Sequence, residues 1–147
     1  MRLGDLPEGT VIPDGFALAH SRGHFTNHNG PVFTATAAGD LRSAMFVLDR
    51  HCNSMGILHG GMASAFADRA LAVAVWQALR APSVTLKLTL HFLESISLHS
   101  WLEARPRVLS VQDGLVQVTA EMRIMGQERV ARADATFRRV RPQAPKG

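Results

Sequence analysis

The sequence predicts an α+β domain in which a curved antiparallel sheet of about six strands wraps one long central helix. Residues 60–79 contain no proline and are apolar nearly all round, which is typical of a buried helix. Three later segments alternate apolar and polar residues, as half-buried antiparallel strands do. A flat sheet would leave the helix exposed, so the two patterns together favour a sheet that curves around it.

Composition restricts the class of protein. The chain has 147 residues, a hydrophobic fraction of 46%, a charged fraction of 19% and a net charge of +4, which favour one globular domain. The basic residues are spread along the chain without a dense stripe interleaved with aromatics, so we expect no nucleic-acid partner. A modest positive charge suits an anionic small-molecule substrate.

The same composition favours a cytoplasmic protein with no membrane partner. Cys52 is the only cysteine, so no intrachain disulfide is expected and a reducing compartment fits. The first residues contain no apolar segment of the secretory type. The most apolar stretch, residues 62–79, is interrupted by Asp68 and Arg69 and falls short of the roughly 20 apolar residues of a membrane span.

The predicted domain organisation is simple. Residues 1–13 hold two glycines and two prolines and are predicted to be a flexible N-terminal arm. The folded domain is predicted over residues 14–141, and residues 142–147 are a C-terminal tail.

The elements before the helix are short. Residues 14–22 are predicted to form a short helix. Residues 32–37 and 42–48 are predicted strands, joined by a turn at Gly39-Asp40. Residues 49–58 are polar and contain glycine, so they are predicted to be a loop.

Pro82 closes the long helix, and the period then changes to two. The alternating strands are predicted over residues 84–92, 116–124 and 131–138. Residues 101–111 form a less regular strand, in which Pro106 indicates a sheet edge or a bulge. Open outer strands favour pairing between subunits.

Three features around the start of the long helix suggest chemistry. Gly60 and Gly61 lie where the loop becomes the helix, and unpaired N–H groups at a helix start can stabilise an oxyanion. Asp68 is a carboxylate in an apolar helix, so it needs a polar partner, which is either a functional group or an arginine across a subunit interface. Asn53 either orients a water or a carbonyl, or simply forms a turn.

Together these residues form a pattern, Asn53-x-x-Gly56-x-x-His59-Gly60-Gly61 followed by Asp68. The pattern resembles the signature of hotdog-fold acyl-CoA thioesterases of the phenylacetate-pathway (PaaI-like) type, in the 4-hydroxybenzoyl-CoA thioesterase superfamily. Two further runs, Phe25-x-x-x-x-Gly30-Pro31 and Arg50-His51-Cys52-Asn53, resemble a bacterial branch. The resemblance covers residues 14–140, is densest over residues 50–68, and implies the hotdog fold.

The resemblance implies a role for each matching residue. Asp68 takes the position of the catalytic carboxylate, which acts as nucleophile on the thioester carbonyl or as general base for water. Gly60 would supply the N–H that polarises the thioester oxygen, and Asn53 would orient the water or the carbonyl. His59 would hold the loop and contact the thioester side. Thr85 falls where relatives carry a hydroxyl that binds the water near the carboxylate.

The resemblance also implies a homodimer or tetramer with active sites at the subunit interface. In such an assembly Asn53 and Gly60 come from one subunit, and Asp68 and Thr85 from its partner.

The function implied is hydrolysis of an aryl or medium-chain acyl-CoA thioester to the free acid and coenzyme A. Gly61, Met62 and Met55 are predicted to bind this substrate. No cofactor and no metal are expected, since coenzyme A is part of the substrate. The alternative is a non-catalytic acyl-CoA binding or sensing module on the same fold, which would keep the pocket but need no carboxylate.

Other candidates are weaker. Cys52 follows His51, but sequence neighbours say little about the geometry of a nucleophile and its base. Histidines at positions 20, 24 and 28 have helical spacing, but no carboxylate or cysteine completes a metal-binding set.

Overall fold

The computed structural model describes residues 5–141, so the predicted tail at 142–147 and the first four residues of the predicted arm lie outside it. The elements, in chain order, are β1 (Phe16–Leu18), α1 (His24–Asn29), β2 (Val32–Ala35), β3 (Ser43–Phe46), α2 (Gly60–Leu79), β4 (Ser83–Phe92), β5 (Trp101–Gln112), β6 (Leu115–Ile124) and β7 (Arg129–Arg139). A single 3-10 turn over Asp49–His51 joins β3 to the loop before α2.

The strands form one antiparallel sheet in the order β1-β2-β3-β5-β6-β7-β4. This confirms the α+β class. The sheet has seven strands instead of about six. The additional strand is β1, so the helix predicted over residues 14–22 is wrong. Phe16–Leu18 pairs with β2 instead, after Gly15 turns the chain at φ 83°. Three residues are too few to show a strand period in the sequence.

The long helix α2 begins and ends where the sequence predicts. Its C-terminal residue is followed by Arg80, which adopts a left-handed conformation and donates its N–H to the carbonyl of Trp76. One side of the helix packs on β4 to β7. The side chains that it buries recur at helical spacing and are Ala63, Phe66, Ala67, Ala70, Leu71, Ala74 and Val75.

The expectation that α2 is buried on every side is wrong for the single chain. Trp76 is 51% exposed, and Gln77 and Ala78 beside it are also exposed. The sheet covers only one side of the helix, and α1 covers part of the flank near Phe66. No other segment of residues 5–141 therefore covers the apolar outward side of α2.

The opposite face of the sheet has two parts. Next to β3 it is covered by the N-terminal segment, whose Leu6, Ile12 and Phe16 pack on buried Phe33 and Trp101. Further across, charged side chains stand in register on neighbouring strands. Arg105 of β5 lies opposite Glu121 of β6, which lies opposite Arg132 of β7.

Pro106 lies within β5, opposite Ala120 of β6. In the part of the chain that the structure describes, β3 pairs with residues 101–104 and no strand pairs with the same edge of β5 at Pro106, where a missing N–H costs nothing. The predicted edge position is confirmed locally. Within residues 5–141, no helix is both long enough and apolar enough to cross a membrane.

Leu71→Ala should lower the free energy of unfolding by about 2–5 kcal/mol, because Leu71 is fully buried between α2 and the sheet. Urea denaturation would show a lower midpoint with an unchanged slope. Gln77→Ala, on the exposed side of the same helix, should change the free energy of unfolding by less than about 0.5 kcal/mol. Equal effects of the two substitutions would mean that the inward side of α2 is not part of the core.

Candidate active site

The loop between β3 and α2 is organised around the buried side chain of His51, which is 2% exposed. Its Nδ1 accepts a hydrogen bond from the backbone N–H of Leu48 at 3.1 Å. The proton is therefore on Nε2, which donates to the carbonyl oxygen of Asn29 at 2.8 Å. One imidazole thus joins the start of this loop to the end of α1.

Burial lowers the pKa of His51 below its ordinary value, and the charge of Arg50 lowers it further, against the raising effect of the backbone carbonyls. A second proton would also replace the acceptor that Leu48 uses. The neutral imidazole is the form that holds the loop.

Asn53 forms a turn and keeps its amide available. Its Oδ1 accepts from the backbone N–H of Met55 at 2.9 Å and of Ile57 at 3.4 Å. Within the part of the chain that the structure describes, the Nδ2 group has no acceptor. The two sequence interpretations of Asn53 are therefore compatible, since turn formation uses the oxygen and leaves the N–H donors.

His59 is the N-cap of α2. Its Nδ1 accepts from the N–H of Gly61 at 2.9 Å. A Cβ on Gly61 would lie 3.0 Å from that Nδ1, so a side chain there would push the capping ring away. A Cβ on Gly60 would make only an ordinary contact, 3.7 Å from the ring of Phe92.

Gly60 and Asn53 lie on one hollow, which we call the glycine hollow. It has a volume of about 450 Å³. Its lining residues are Asn53, Ile57, Leu58, Gly60, Phe92, Leu93, Glu94, Ser95 and Ile96. The predicted oxyanion donor and the predicted orienting amide therefore share a cavity.

Asp68 is partly exposed, although the helix around it is largely apolar. It lies where α2 meets the edge strand β4, and Thr85 of β4 donates its hydroxyl to Oδ1 at 2.6 Å. The polar partner that the sequence requires is therefore Thr85. Arg69 points elsewhere, as expected for the next residue of a helix, and donates to Ser43 of β3 at 3.3 Å.

Within one chain, the predicted catalytic residues form two separate groups. Eight residues of helix, about 12 Å, separate Gly60 from Asp68. Along β4, Thr85 and Phe92 lie roughly 20 Å apart, and Phe92 marks the glycine hollow. A reacting carbonyl has to lie about 3 Å from both its oxyanion donors and its attacking group. One chain alone therefore does not bring the two groups to one carbonyl, and we call them the half-sites of the predicted active site.

The predicted substrate-binding residues are also dispersed. Met55 is 74% exposed in the loop. Met62 lies away from the glycine hollow, in a cavity of about 20 Å³ between α1 and α2 that also touches Phe66. Sequence reasoning missed Phe92 and Leu93 as hollow-lining residues, although two adjacent apolar residues where an alternating strand ends are a usable signal.

The thiol of Cys52 does not have the environment of a nucleophile. Burial raises its pKa, and the nearby charge of Asp49 raises it further. Among residues 5–141, no three histidine, cysteine or carboxylate side chains lie close enough together to hold a metal ion.

Comparison with known proteins identifies the family of this chain. The sequence profile of the thioesterase superfamily matches residues 55–131. The candidate esterase PA0474 of Pseudomonas aeruginosa is 30% identical over 129 residues, which cover 86% of this chain and 96% of that protein.

Solved structures agree with the fold. A point mutant of the phenylacetic acid degradation protein PaaI from Thermus thermophilus has a TM-score of 0.69 at 24% identity, covering 79% of this chain and 98% of that one. The BH2602 protein of Bacillus halodurans, solved with CoA, has a TM-score of 0.63 at 19% identity, covering 68% and 67%. The predicted hotdog fold is confirmed.

The free energy of unfolding should fall as the pH is lowered from 7 to 5.5. Unfolded His51 takes up a proton near pH 6.5, whereas the folded protein resists it to lower pH, so protons favour the unfolded chain in this window. The slope contributed by one histidine reaches at most about 1.4 kcal/mol per pH unit. Urea denaturation at a series of pH values measures it.

His51→Asn should remove that contribution to the slope, while His20→Asn, at an exposed histidine, should retain it. If His51→Asn keeps the wild-type slope, the neutral buried imidazole is not what couples this fold to pH.

Proposed function

This chain belongs to the thioesterase superfamily, and we propose that it is an acyl-CoA thioesterase whose active site is completed by a second copy of the chain. The observation that carries the proposal is the separation of the two half-sites. Asn53 and Gly60 lie at one end of β4 and Asp68 with Thr85 at the other. Two chains related by a twofold axis would bring the first pair of one against the second pair of its partner.

The surface around Asp68 suits such a partner. Within residues 5–141, β4 is the last strand of the sheet, so its outer edge has backbone groups that no strand in that range pairs. Beside it, Trp76, Val84 and Leu86 are 51%, 49% and 52% exposed. An open strand edge bordered by large apolar side chains favours association with a second copy into a homodimer, or a tetramer of two such dimers.

In the proposed mechanism the substrate carbonyl oxygen faces the N–H of Gly60 and the Nδ2 group of Asn53. These donors stabilise the oxyanion as the carbonyl carbon becomes tetrahedral. The helix start adds a partial positive charge at the same place. His59 and the Asn53 turn hold both donors in position before the substrate arrives.

Asp68 of the partner supplies the attacking function. As general base it takes a proton from water, whose oxygen bonds to the carbonyl carbon. The carbon–sulfur bond then breaks and the proton passes to the thiolate, releasing the acid and coenzyme A. As nucleophile its oxygen attacks first, and water then hydrolyses the mixed anhydride. Thr85 holds Oδ1 in either case and leaves Oδ2 to react. Neither route requires a metal or a cofactor.

The proposal places coenzyme A on the surface beyond the glycine hollow. Leu93 also borders a second depression of about 440 Å³, which shares Glu121 and Arg129 with a third of about 360 Å³. We call the third the arginine groove; its arginines are Arg105, Arg107, Arg129 and Arg132. The shared lining residues make the three depressions neighbours. Arg107 is the arginine of the groove without a carboxylate partner within residues 5–141, so we expect a phosphate there. The Bacillus halodurans relative, which was solved with CoA, supports this substrate class.

The proposal includes a cytoplasmic location, where acyl-CoA substrates and the free thiol of Cys52 are both expected.

Asp68→Asn should lower kcat by about a thousandfold with little change in the binding of acyl-CoA, because the amide can neither accept the proton nor attack. Hydrolysis is followed with a thiol-detecting reagent across aryl and medium-chain thioesters. Asp113→Asn, on an exposed turn, is the matched control and should retain full activity. Wild-type protein that binds acyl-CoA but hydrolyses none would favour the non-catalytic binding module.

Mixing two inactive variants tests the shared site. Asp68→Asn and Asn53→Ala chains, unfolded together and refolded, should regain about a quarter of wild-type activity, since half of the dimers are mixed and each has one intact site. Recovery of no activity, while each variant still assembles, would mean that the residues act within one chain.

Arg107→Gln should raise KM for an acyl-CoA by about three- to tenfold, because Arg107 has no carboxylate partner within residues 5–141 and is available to a phosphate. The KM for the same acyl group on N-acetylcysteamine, which has no phosphates, should not change. Arg139→Gln, also exposed but outside the groove, should leave both unchanged. Equal changes for the two substrates would contradict a phosphate contact.

A further inference from the structure

Arg69 follows the proposed catalytic carboxylate and has a different environment. Successive residues of a helix are about 100° apart, so the two side chains leave the outward side of α2 at its two flanks. Asp68 contacts β4 by accepting a hydrogen bond from Thr85, whereas Arg69 contacts β3 by donating one to Ser43. Between them the surface is formed by small side chains, Ala65 and Ala72.

The partly buried guanidinium of Arg69 has no carboxylate partner within residues 5–141. Arg42, Arg69 and Arg123 are the partly buried arginines among residues 5–141. Arg42 is paired with Asp40 and Glu103, and Arg123 with Glu121. Arg69 has no carboxylate within ion-pair distance in that range and donates only to the Ser43 hydroxyl.

Burial lowers the pKa of Arg69, with no carboxylate of the described chain opposing the effect. An arginine nevertheless stays charged in proteins. A desolvated cation without a counter-charge is costly, and a carboxylate that reaches it gains a bidentate hydrogen bond.

Arg69 lines the small cavity between α1 and α2, the one that also touches Met62. The other lining residues are Phe25, Thr26, Asn29, Val32, Met62, Ala65 and Phe66. Its volume of about 20 Å³ holds little more than one water-sized group, so one carboxylate oxygen can enter beside the guanidinium but a ring cannot. Arg69 is the charged member of a lining that is otherwise mostly apolar.

We propose that Arg69 selects acyl groups that end in a carboxylate, so that the preferred substrates are thioesters of dicarboxylic acids. An acyl chain whose carbonyl is held beside Asp68 would cross the alanine surface at Ala65. Its terminal carboxylate would then place one oxygen in the mouth of the small cavity and pair with Arg69. This inference rests on the proposed function, because it takes the position of Asp68 as the position of the thioester.

The test compares matched thioesters of equal chain length. Succinyl-, adipoyl- and suberoyl-CoA are paired with butanoyl-, hexanoyl- and octanoyl-CoA, and the ratio of kcat/KM is measured within each pair. The wild-type protein should prefer the dicarboxylic member of at least one pair by about tenfold or more. In Arg69→Met that ratio should fall to about one, mainly because the dicarboxylic thioester loses activity.

Two variants separate recognition from folding. Arg139→Met removes an exposed arginine and should keep the wild-type ratio. Arg69→Lys keeps the charge but not the planar pair of donors, so its ratio should be intermediate. A wild-type ratio near one in every pair, or a ratio that Arg69→Met leaves unchanged, would overturn the inference and make Arg69 a structural link to Ser43.

Failure of the proposed function gives a different result. If none of the six thioesters is hydrolysed, the enzyme assignment fails, and equilibrium binding of the same pairs then decides the inference. Tighter binding of the dicarboxylic thioester that Arg69→Met abolishes would support it, and equal binding within every pair would overturn it.

Discussion

The one-sided burial of α2 is the constraint on which the rest of this structure depends. The sheet covers the side that carries Phe66 and Leu71, and nothing among residues 5–141 covers the side that carries Trp76. A helix that is apolar all round is stable when its second side is also removed from water. The same open side carries Asp68, so the apolar surface left exposed is also the surface that bears the proposed catalytic carboxylate.

The loop before α2 shows how backbone hydrogen bonds prepare a site. His51, Asn53 and His59 each use one polar atom to hold a backbone N–H in place. For Asn53 this leaves the amide donors unused within the described chain, and for the helix start it leaves the first N–H groups without intrahelical acceptors. Donors whose positions are already set need no reorganisation when charge develops on a substrate.

One step along the helix separates a carboxylate held by Thr85 from a guanidinium that reaches Ser43. These neighbours leave the helix at different angles, so in our proposals the same turn of α2 supplies the catalytic group at one flank and the specificity group at the other. The side chains between them are alanines, which leave room for an acyl chain. The arginines on the charged outer face of the sheet differ from Arg69, since most of them pair with carboxylates of the same or a neighbouring strand.

The sequence by itself determined the α+β class, the bounds of α2 and the positions of the long strands, because helical continuity and period-two alternation are local patterns. It also determined that Gly60 and Asn53 belong together, since both are near the same helix start. It did not reveal β1, which is too short to show a period. Only the tertiary structure decided that Asp68 meets Thr85, that Arg69 has no carboxylate partner within residues 5–141, and that the half-sites lie at opposite ends of β4. Those facts depend on how distant segments pack, and no spacing along the chain encodes them.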